Sequence, residues 1–443
     1  MPIPLSPEEP EARVDKLILV TGSTGYIASR LIPRLLEAGY RVRCLARDPG
    51  RLNGRAWFHQ VEVIQGDVTL PQSLHAALEG VHTAYYLIHN MTYGHGYTQL
   101  ELESAWAFAS AAEDQGLEHI IYLGGLADPE QHLAPHMRSR IETGYILREG
   151  KVPVTEFRAG VITGSGSISF EMIRFMTELF PVVPGPLWMR NKSQPIAIQN
   201  VIDYLIAALT NPNGRGKVFE IGGPDITSYA DLMLRYARLR DLRRRMLLLP
   251  GLPVWFMAFG VGLMTPVPFP IAYALIGGLS ADSVVKHPEA LKVFSEVQLL
   301  DYDTAAKDAL EKTHPGHIER VWDDGRPGAK FIKHEGCFID HREKILKTKP
   351  GKVLDTLKQF AGRSDKFMEG EQFIVCVKDQ IAGKKWIEWR VADQTESVTC
   401  ITQTVFFCPD GLPGFLYWFL LYPLHIMNFG SLLRAIAKQS EVQ

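Results

Sequence analysis

Apolar positions in the first third of the chain follow two alternating patterns, short unbroken runs and runs at a spacing of three to four. The run Leu17–Val20 predicts a buried strand, and Ile27 and Leu31 begin a helical spacing directly after it. Further strands are predicted between helical patterns, at 41–46, 61–65, 83–88, 119–123 and 154–157. Strands that alternate with helices predict right-handed βαβ units and a doubly wound parallel sheet of the α/β class.

The patterns change twice farther along the chain. After residue 158 the regular alternation fades, and prolines interrupt the apolar stretch 247–279, which favours buried or interfacial elements over a membrane span. From about residue 291 strand-like alternation returns, and apolar residues at helical spacing over 415–436 predict one long amphipathic helix. We therefore expect four parts: a disordered leader over 1–14, a Rossmann domain over 15–160, a substrate lobe with an apolar helical segment over 161–290, and an α+β domain over 291–443.

A glycine-rich turn stands between the first strand and the first helix. It reads Thr-Gly-Ser-Thr-Gly over residues 21–25. Gly22 can adopt backbone conformations that are closed to other residues, and Gly25 lets a pyrophosphate approach the main chain. The N-terminus of the helix adds unpaired N–H groups and a positive dipole end. Strand, glycine turn and helix together predict a dinucleotide site.

The spacing TGxxGxxA in this turn resembles the short-chain dehydrogenase/reductase superfamily, in its extended or atypical branch. Ala28 replaces the glycine that usually ends the motif, and it is small enough for close helix–strand packing. The resemblance extends to the NmrA-like proteins and to the accessory subunit of respiratory complex I. It implies an NAD(P)-binding fold in which the cofactor contacts Gly22, Ser23, Thr24, Gly25, Tyr26, Ile27, Arg47, Asp67, Val68, Leu87, Gly124 and Arg140.

The residues after the second and third predicted strands bear on which dinucleotide binds. Arg47 stands where a cation would pair with the 2′-phosphate of NADP, and Asp48 beside it keeps NAD open as an alternative. The planar guanidinium of Arg47 can also stack on adenine, so we expect NADP. In the resembling families an Asp at the position of Asp67 binds the adenine amine; the alternative is an acid near a helix N-terminus.

The usual catalytic residues of this superfamily are missing. Its reductases use a Tyr-x-x-x-Lys pair on the helix after the fifth strand and a Ser near the end of that strand. Here Gly124 stands in place of Ser, His136 in place of Tyr and Arg140 in place of Lys. His136 could act as an acid near neutral pH, and the permanently charged Arg140 could bind the nicotinamide ribose. The alternative for His136 is a surface histidine at a helix start.

The C-terminal region carries a second resemblance. Its segments TQTVFF and GLPGFLYWFLLYPLH are similar to an uncharacterised domain that is fused to atypical reductases, and strands followed by a helix resemble the helix-grip fold of polyketide cyclases and START-like proteins. This resemblance implies a bound apolar small molecule, such as a lipid or polyketide. Contact with a membrane surface through 412–427 is a further expectation.

Charge and cysteine content exclude several classes of protein. The formal net charge is −2, so no nucleic acid is expected as a partner, and the triplet Arg243–Arg245 is interpreted as a solvated helix face. Five cysteines without a CxxC pair predict reduced thiols, a cytoplasmic location and no metal. His314 and His317 flank Pro-Gly and therefore fit a loop. The oligomeric state is left open.

Two functions remain from the sequence alone. The first is an NADP-linked oxidoreductase that acts on an apolar carbonyl or quinone-like substrate. The second is a redox-silent NADP(H)-binding regulatory or assembly protein with a C-terminal domain for a hydrophobic ligand. The absence of Ser, Tyr and Lys weakens the first function, because general acid catalysis typically contributes about 10²–10⁴-fold in rate.

Overall fold

The computed structural model describes residues 15–442, apart from 53–54, 90–96, 132, 265–268, 313–331, 335–336, 361–365, 370–371, 380–382, 396–397 and 410. The leader predicted over 1–14 and the histidines His314 and His317 lie outside the described residues.

The N-terminal part begins with regular βα units. Its strands are β1 (Leu17–Val20), β2 (Arg41–Ala46), β3 (Glu62–Gln65), β4 (Thr83–Tyr86), β5 (His119–Gly125) and β6 (Val154–Ala159). The helices between them are α1 (Tyr26–Glu37), α2 (Pro71–Leu78), α3 (Tyr97–Asp114) and α4 (Pro135–Glu149). Each predicted strand and helix of this part is present, with ends that differ by a few residues.

The elements that follow are shorter and more mixed. The strands are β7 (Ile162–Thr163), β8 (Val182–Pro186), β9 (Lys192–Ser193), β10 (Ile196–Ala197), β11 (Val218–Ile221), β12 (Thr227–Ser228) and β13 (Arg245–Leu249). The helices are α5 (Ile168–Leu179), α6 (Ile198–Thr210), α7 (Tyr229–Leu239), α8 (Val254–Met264), α9 (Phe269–Gly278), α10 (Ala290–Val293) and α11 (Tyr302–Glu311).

A seven-stranded sheet in the order β11-β6-β5-β4-β1-β2-β3 organises the N-terminal part. All its pairings are parallel. Ile18 and Val20 belong to one hydrophobic core and Leu19 to another, because successive strand residues face opposite sides of the sheet. This topology confirms the doubly wound α/β fold, and it places the ends of β1, β2, β4 and β5 along one edge.

The triplet Arg243–Arg245 does not lie on a helix, so its interpretation as a solvated helix face is wrong. Arg245 begins β13, which pairs in parallel with β8. Arg244 donates from Nε to the carbonyl of Thr177 (2.7 Å) and from Nη2 to that of Glu178 (3.0 Å). The guanidinium thus satisfies carbonyls at the last turn of α5, which have no helical N–H partner.

The C-terminal part is an α+β unit. A six-stranded antiparallel sheet runs in the order β14-β15-β19-β18-β17-β16. Its strands are β14 (Ile332–His334), β15 (Cys337–Leu346), β16 (Lys366–Glu369), β17 (Gln372–Asp379), β18 (Gly383–Thr395) and β19 (Val398–Pro409). Helices α12 (Pro350–Phe360), α13 (Gly411–Leu420) and α14 (Tyr422–Val442) accompany it, and Trp418, Phe429 and Ile436 are buried in its core.

The C-terminal helix is broken, contrary to the expectation of one long helix over 415–436. Helices α13 and α14 meet at Leu421 with a bend of 68°. Pro423 lies in the first turn of α14, where its missing N–H costs no helical hydrogen bond, and a proline there favours a new helix start. Among the described residues no single helix has the length and apolar composition of a membrane span, and the bent pair meets both criteria only when taken together.

The packing around residue 290 does not follow the predicted division of the chain. Ala290, Phe294 and Val297 are buried in the core beneath the seven-stranded sheet, where Phe294 contacts the rings of Phe157 and Phe219. The boundary between 161–290 and 291–443 stays a prediction. A chain shortened to Ser283 would lose these core side chains, and we expect it to be unstable.

The cysteines differ from one another in state. Cys408 is bonded in a disulfide, so the expectation that all five cysteines are reduced is wrong for this residue. Cys44 is a free cysteine. Burial raises the pKa of the Cys44 thiol to about 12, which makes this side chain an inert part of the core.

Candidate functional site

The glycine turn after β1 has a shape that only glycine can provide. Gly22 has a φ of +62°, and a Cβ at this position would lie 2.7 Å from the carbonyl oxygen of Leu87. The N–H of Gly25 donates to the carbonyl of Gly22 (2.8 Å), which closes the turn. Within the described part of the chain, no side chain caps the N-terminus of α1. The turn therefore presents bare main chain and a helix N-terminus, the arrangement that binds a pyrophosphate.

Side chains inside the turn hold it against the sheet. Thr21 donates from Oγ1 to the carbonyl of Tyr85 (2.9 Å) and accepts from the N–H of Leu87 (3.0 Å). The hydroxyl of Ser23 donates to the carbonyl of Leu45 (2.9 Å) and is buried. Any contribution of Ser23 to a phosphate is thus left to its main chain, and Leu87 acts by shaping the turn.

The open side of the turn carries the remaining residues predicted there. Thr24, Tyr26 and Ile27 are half-buried and Gly25 is exposed. The guanidinium of Arg30 lies 3.9 Å from the centre of the Tyr26 ring and donates to the carbonyl of Ser165 (2.7 Å). This link joins the first helix to the loop before α5, so the nucleotide turn and the substrate lobe are held together.

The end of β2 presents the cation that NADP would require. Arg47 is exposed, and its carbonyl accepts a hydrogen bond from the side-chain amide of Gln65 (3.2 Å). The carboxylate of Asp48 accepts from the N–H of Gly50 (3.0 Å) and so belongs to a tight turn. Since the carboxylate already has a local partner, this end of the strand suits a phosphate better than a ribose hydroxyl.

Of the two predicted residues after β3, Asp67 belongs to a turn and Val68 belongs to the core. Asp67 accepts at Oδ1 from the N–H of Thr69 (3.0 Å), and its main chain is hydrogen-bonded to the hydroxyl of Ser73. Val68 is buried in the core between the sheet and α2, so its side chain is not a ligand. Asp67 therefore has a structural role at Oδ1 that is compatible with an adenine contact at Oδ2.

Helix α4 brings His136 and Arg140 to the same side, four residues apart. The side chain of Arg140 packs closely against Gly125, the last residue of β5, because a Cβ built on this glycine would lie 3.3 Å from Cδ of Arg140. The hydroxyl of Tyr122 donates to the carbonyl of Arg140 (2.8 Å) and fixes the helix against the strand. Gly124 lies within β5, with its Cβ position 3.0 Å from the ring of Tyr122.

His136 is not a surface residue, and it does not titrate near neutral pH. It is 3% exposed. Burial, reinforced by the charge of Arg140 and by His89, lowers the pKa of its imidazole to about 3. The expectation that His136 acts as an acid near neutral pH is therefore wrong. Its Nδ1 is buried and has no hydrogen-bond partner in the described part of the chain, so a neutral imidazole is left with an unused polar atom.

A polar cluster that the sequence did not reveal lies beside this helix. Glu101 on α3 is 1% exposed; its Oε1 lies 3.2 Å from Nδ1 of His89, and its Oε2 accepts from the hydroxyl of Ser139. Burial opposes the carboxylate charge, but the hydrogen bonds from His89 and Ser139 outweigh it and lower the pKa of Glu101. Burial and the charge of Arg140 lower the pKa of His89.

The spacing of this cluster explains why sequence analysis missed it. Ser139 lies 38 residues from Glu101, and His89 lies 12 residues from it. No motif of short range joins them. The cluster fixes α3 to α4 and so supports the position of Arg140.

A cavity of about 160 Å³ opens where β5 and β6 end. His136 and Arg140 line one side, and Ala159 and Gly160 line the end of β6. Most of the remaining lining is apolar, and it includes six methionines: Met137, Met172, Met176, Met189, Met233 and Met257. Methionine is flexible and polarizable, so this lining can adapt to apolar ligands of irregular shape. Within the described residues no cluster of side chains could hold a metal ion.

Comparison with known proteins agrees with this geometry. Residues 14–214 match the model of the NmrA-like family. The (4-alkanoyl-5-oxo-2,5-dihydrofuran-3-yl)methyl phosphate reductase of Streptomyces griseus subsp. griseus is 28% identical over 277 residues, which are 59% of this chain and 85% of that protein. The photosystem II assembly factor Ycf39 of Cyanophora paradoxa is 26% identical over 230 residues, 50% of this chain and 68% of that protein.

Solved structures share the fold at lower sequence identity. The Citrobacter sp. triphenylmethane reductase, complexed with NADP(H), superposes with a TM-score of 0.54 at 20% identity and covers 66% of this chain and 99% of its own. The NADPH-dependent quinone oxidoreductase QOR2 of Escherichia coli, complexed with NADPH, gives 0.54 at 18% identity, with 66% and 98% covered. The family match ends at residue 214, so the helix-grip resemblance of the C-terminal part stays a prediction. Residues 14–214 are therefore similar to the NmrA-like family, and the seven-stranded parallel sheet has a Rossmann-like α/β fold.

Proposed function

We propose that this chain is an NADP(H)-dependent oxidoreductase whose substrate is an apolar, quinone-like carbonyl compound. The observation that carries the proposal is the methionine-lined cavity at the ends of β5 and β6, with His136 and Arg140 in its wall. In doubly wound sheets, ligands bind outside the carboxyl ends of the strands. The glycine turn after β1 lies on the same edge, so a dinucleotide and an apolar substrate could meet there.

The nucleotide half of the proposal rests on two features. The Gly22 turn offers a main-chain cradle that a Cβ would fill, and Arg47 is an exposed cation at the end of β2. The similar structures include proteins complexed with NADP(H). NADPH supplies a hydride when it is bound, and the residues of this chain then have to bind, orient and stabilise the acceptor.

The missing Tyr and Lys favour a quinone-like acceptor over an aliphatic ketone. Hydride addition to a quinone leaves a phenolate-like oxygen, and a phenol such as tyrosine has a pKa of about 10. Such an anion needs charge stabilisation more than a proton, and the permanent charge of Arg140 can provide it. The solvent then supplies the proton. A neutral His136 can orient the carbonyl with an N–H hydrogen bond but is a poor acid.

The second candidate, a redox-silent NADP(H)-binding assembly or regulatory protein, has its own support. Gly124, His136 and Arg140 replace the residues that ordinary reductases of the superfamily use. The relatives include an assembly factor as well as a reductase. Both candidates share NADPH binding, so only turnover distinguishes them.

The test is a steady-state assay of NADPH oxidation with a series of quinones and a series of aliphatic ketones, together with calorimetric titration of NADPH. We expect turnover with apolar quinones and little with ketones. Arg140→Met should lower kcat at least tenfold, since it removes the charge that stabilises the reduced oxygen. Met427→Leu, at an exposed position remote from the cavity lining, serves as a control. NADPH binding without turnover of any acceptor would select the redox-silent alternative.

A further inference from the structure

Helices α8 and α9 form a hairpin with an apolar outer side. Neither helix contains a charged residue. A helix that is apolar around its whole circumference normally lies in a protein core or in a membrane. Yet a set of large side chains on these two helices is between 45% and 59% exposed: Trp255, Phe256, Phe259, Leu263, Phe269 and Tyr273.

The inner side of the same hairpin closes the cavity. Met257 and Val261 on α8 and Ile276 on α9 line it. Gly278 at the end of α9 approaches the imidazole of His136 so closely that a Cβ there would lie 2.9 Å from Nε2. The hairpin therefore closes the candidate substrate site on one side, and the large side chains on its outer side are exposed among the described residues.

The segment that leads into the hairpin is basic, since residues 238–245 contain five arginines and one acidic residue, Asp241. The forty residues 242–281 contain three arginines and no acidic residue or lysine. Arg243 and Arg245 are exposed, and so are Leu247 and Leu249 farther along the strand, because alternate residues of β13 face the same way. Arg244 faces the protein and anchors this segment to α5. The cations thus stand on a fixed strand that leads into α8.

This combination of chemistry fits a lipid surface better than a second copy of the chain. Two copies that meet through the same patch would bring arginines towards arginines, because residues 238–245 contain five arginines and only one acidic residue, Asp241. Trp, Tyr and Phe favour the membrane–water interface, and arginines bind anionic headgroups. The helices have 11 and 10 residues, too short for a span, which needs about 20.

We propose that the outer side of the α8–α9 hairpin, with Arg243 and Arg245 beside it, docks on the surface of an anionic lipid membrane. The aromatic side chains enter the interface, and the arginines bind lipid phosphates. The cavity then lies directly beneath the docked surface, so an apolar substrate can reach it from the bilayer without passing through water. The docking itself goes beyond the proposed reductase function and does not depend on it.

The experiment is flotation of the full-length protein with phosphatidylcholine vesicles that contain or lack phosphatidylglycerol. The wild type should float with the anionic vesicles and much less with the neutral ones. The pair Trp255→Glu/Phe259→Glu should bind at least tenfold more weakly, since it places charges in the apolar contact. The matched control Trp106→Glu/Leu291→Glu, also at exposed positions, should bind within about twofold of the wild type.

A second pair of variants tests the arginines. Arg243→Ala/Arg245→Ala should weaken binding to anionic vesicles about 30-fold at low salt, and Arg243→Lys/Arg245→Lys should largely retain it. Thermal unfolding checks that each variant is folded. With brominated lipids, the tryptophan fluorescence of the wild type should be quenched more than that of Trp255→Phe.

Three results would overturn the proposal. The first is a wild type that floats with neither kind of vesicle. The second is an equal loss of binding in the hairpin pair and in the control pair. The third is self-association of the wild type that Trp255→Glu/Phe259→Glu abolishes, without vesicle binding by either protein, which would assign the surface to a second copy of the chain.

Discussion

The two halves of the candidate site lie on the same edge of one sheet but are built in different ways. The nucleotide half consists of main chain from a few consecutive residues, fixed by hydrogen bonds from Thr21 and Ser23 to neighbouring strands. The cavity half consists mainly of side chains from α4, α5, α7, α8 and α9, and five of these side chains are methionines. A rigid cradle suits one invariant group, such as a pyrophosphate, whereas a flexible apolar lining suits ligands of variable shape.

The halves also differ in how they treat charge. Arg47 is exposed at the nucleotide half, where it can meet a phosphate at little cost in desolvation. The cavity half keeps His136 neutral by burial, and its lining contains two charged residues, Arg140 and Asp282. The charge of the nucleotide half is therefore presented to solvent, whereas the charges of the cavity half stand in a largely apolar lining.

Gly22→Ala should have the largest effect and should be confined to the nucleotide half. It combines a φ of +62° with a contact of 2.7 Å to the carbonyl of Leu87, so the turn must distort and NADPH binding should be lost. Gly39→Ala is the matched control, because its φ is +87° but the space around its Cβ position is open. Both variants should lose about 1–2 kcal/mol of folding free energy. In calorimetric titrations, however, only Gly22→Ala should lose the binding of NADPH.

Arg47→Ala should have the next largest effect. Loss of charge-assisted hydrogen bonds to a 2′-phosphate should weaken NADPH binding by about 1.5–3 kcal/mol and leave NADH binding nearly unchanged. Arg41→Ala, at the opposite end of β2, should change neither affinity. Equal losses for NADPH and NADH, measured by calorimetry, would contradict the role of Arg47 in reading the phosphate.

Met257→Trp should affect only the cavity half. The larger ring fills space in the lining, so KM for a bulky quinone should rise about tenfold while the NADPH affinity stays the same. The same exchange at the exposed Met427 provides the control. If KM were unchanged for every acceptor, the reacting substrate would not lie in this cavity.

Mild acid acts on stability rather than on ligand contacts, and its effect reports on burial. Burial lowers the pKa of His119 and His136 to about 3, whereas unfolded histidines titrate near 6.5. The unfolded state therefore binds more protons as the pH falls below about 6.5, and each histidine should reduce the free energy of unfolding by about 1.4 kcal/mol per pH unit. His136→Gln should make the pH dependence in urea unfolding shallower. An unchanged dependence would mean that water reaches this imidazole in the folded protein.

The nucleotide half of the site could be predicted from the sequence because its residues are close together in the chain. An apolar run, Gly22, Gly25 and a helical spacing within about twenty residues specify a strand, a turn and a helix. Arg47 follows the next strand directly, so its place on the edge is set by the parallel topology. The sequence also predicted cofactor contacts for Ser23 and Val68. In the structure the hydroxyl of Ser23 is hydrogen-bonded within the fold, and the side chain of Val68 is buried in the core.

The sequence by itself determined the βα alternation, the glycine turn and the cation at the end of β2, since each follows from neighbouring residues. Only the tertiary structure decided the burial of His136, its lowered pKa, the His89–Glu101–Ser139 cluster and the methionine cavity beneath the α8–α9 hairpin. The pKa of a histidine depends on how much protein surrounds it, and a cavity is the space between elements far apart in the chain. Neither quantity is encoded in a local pattern, because both arise from packing.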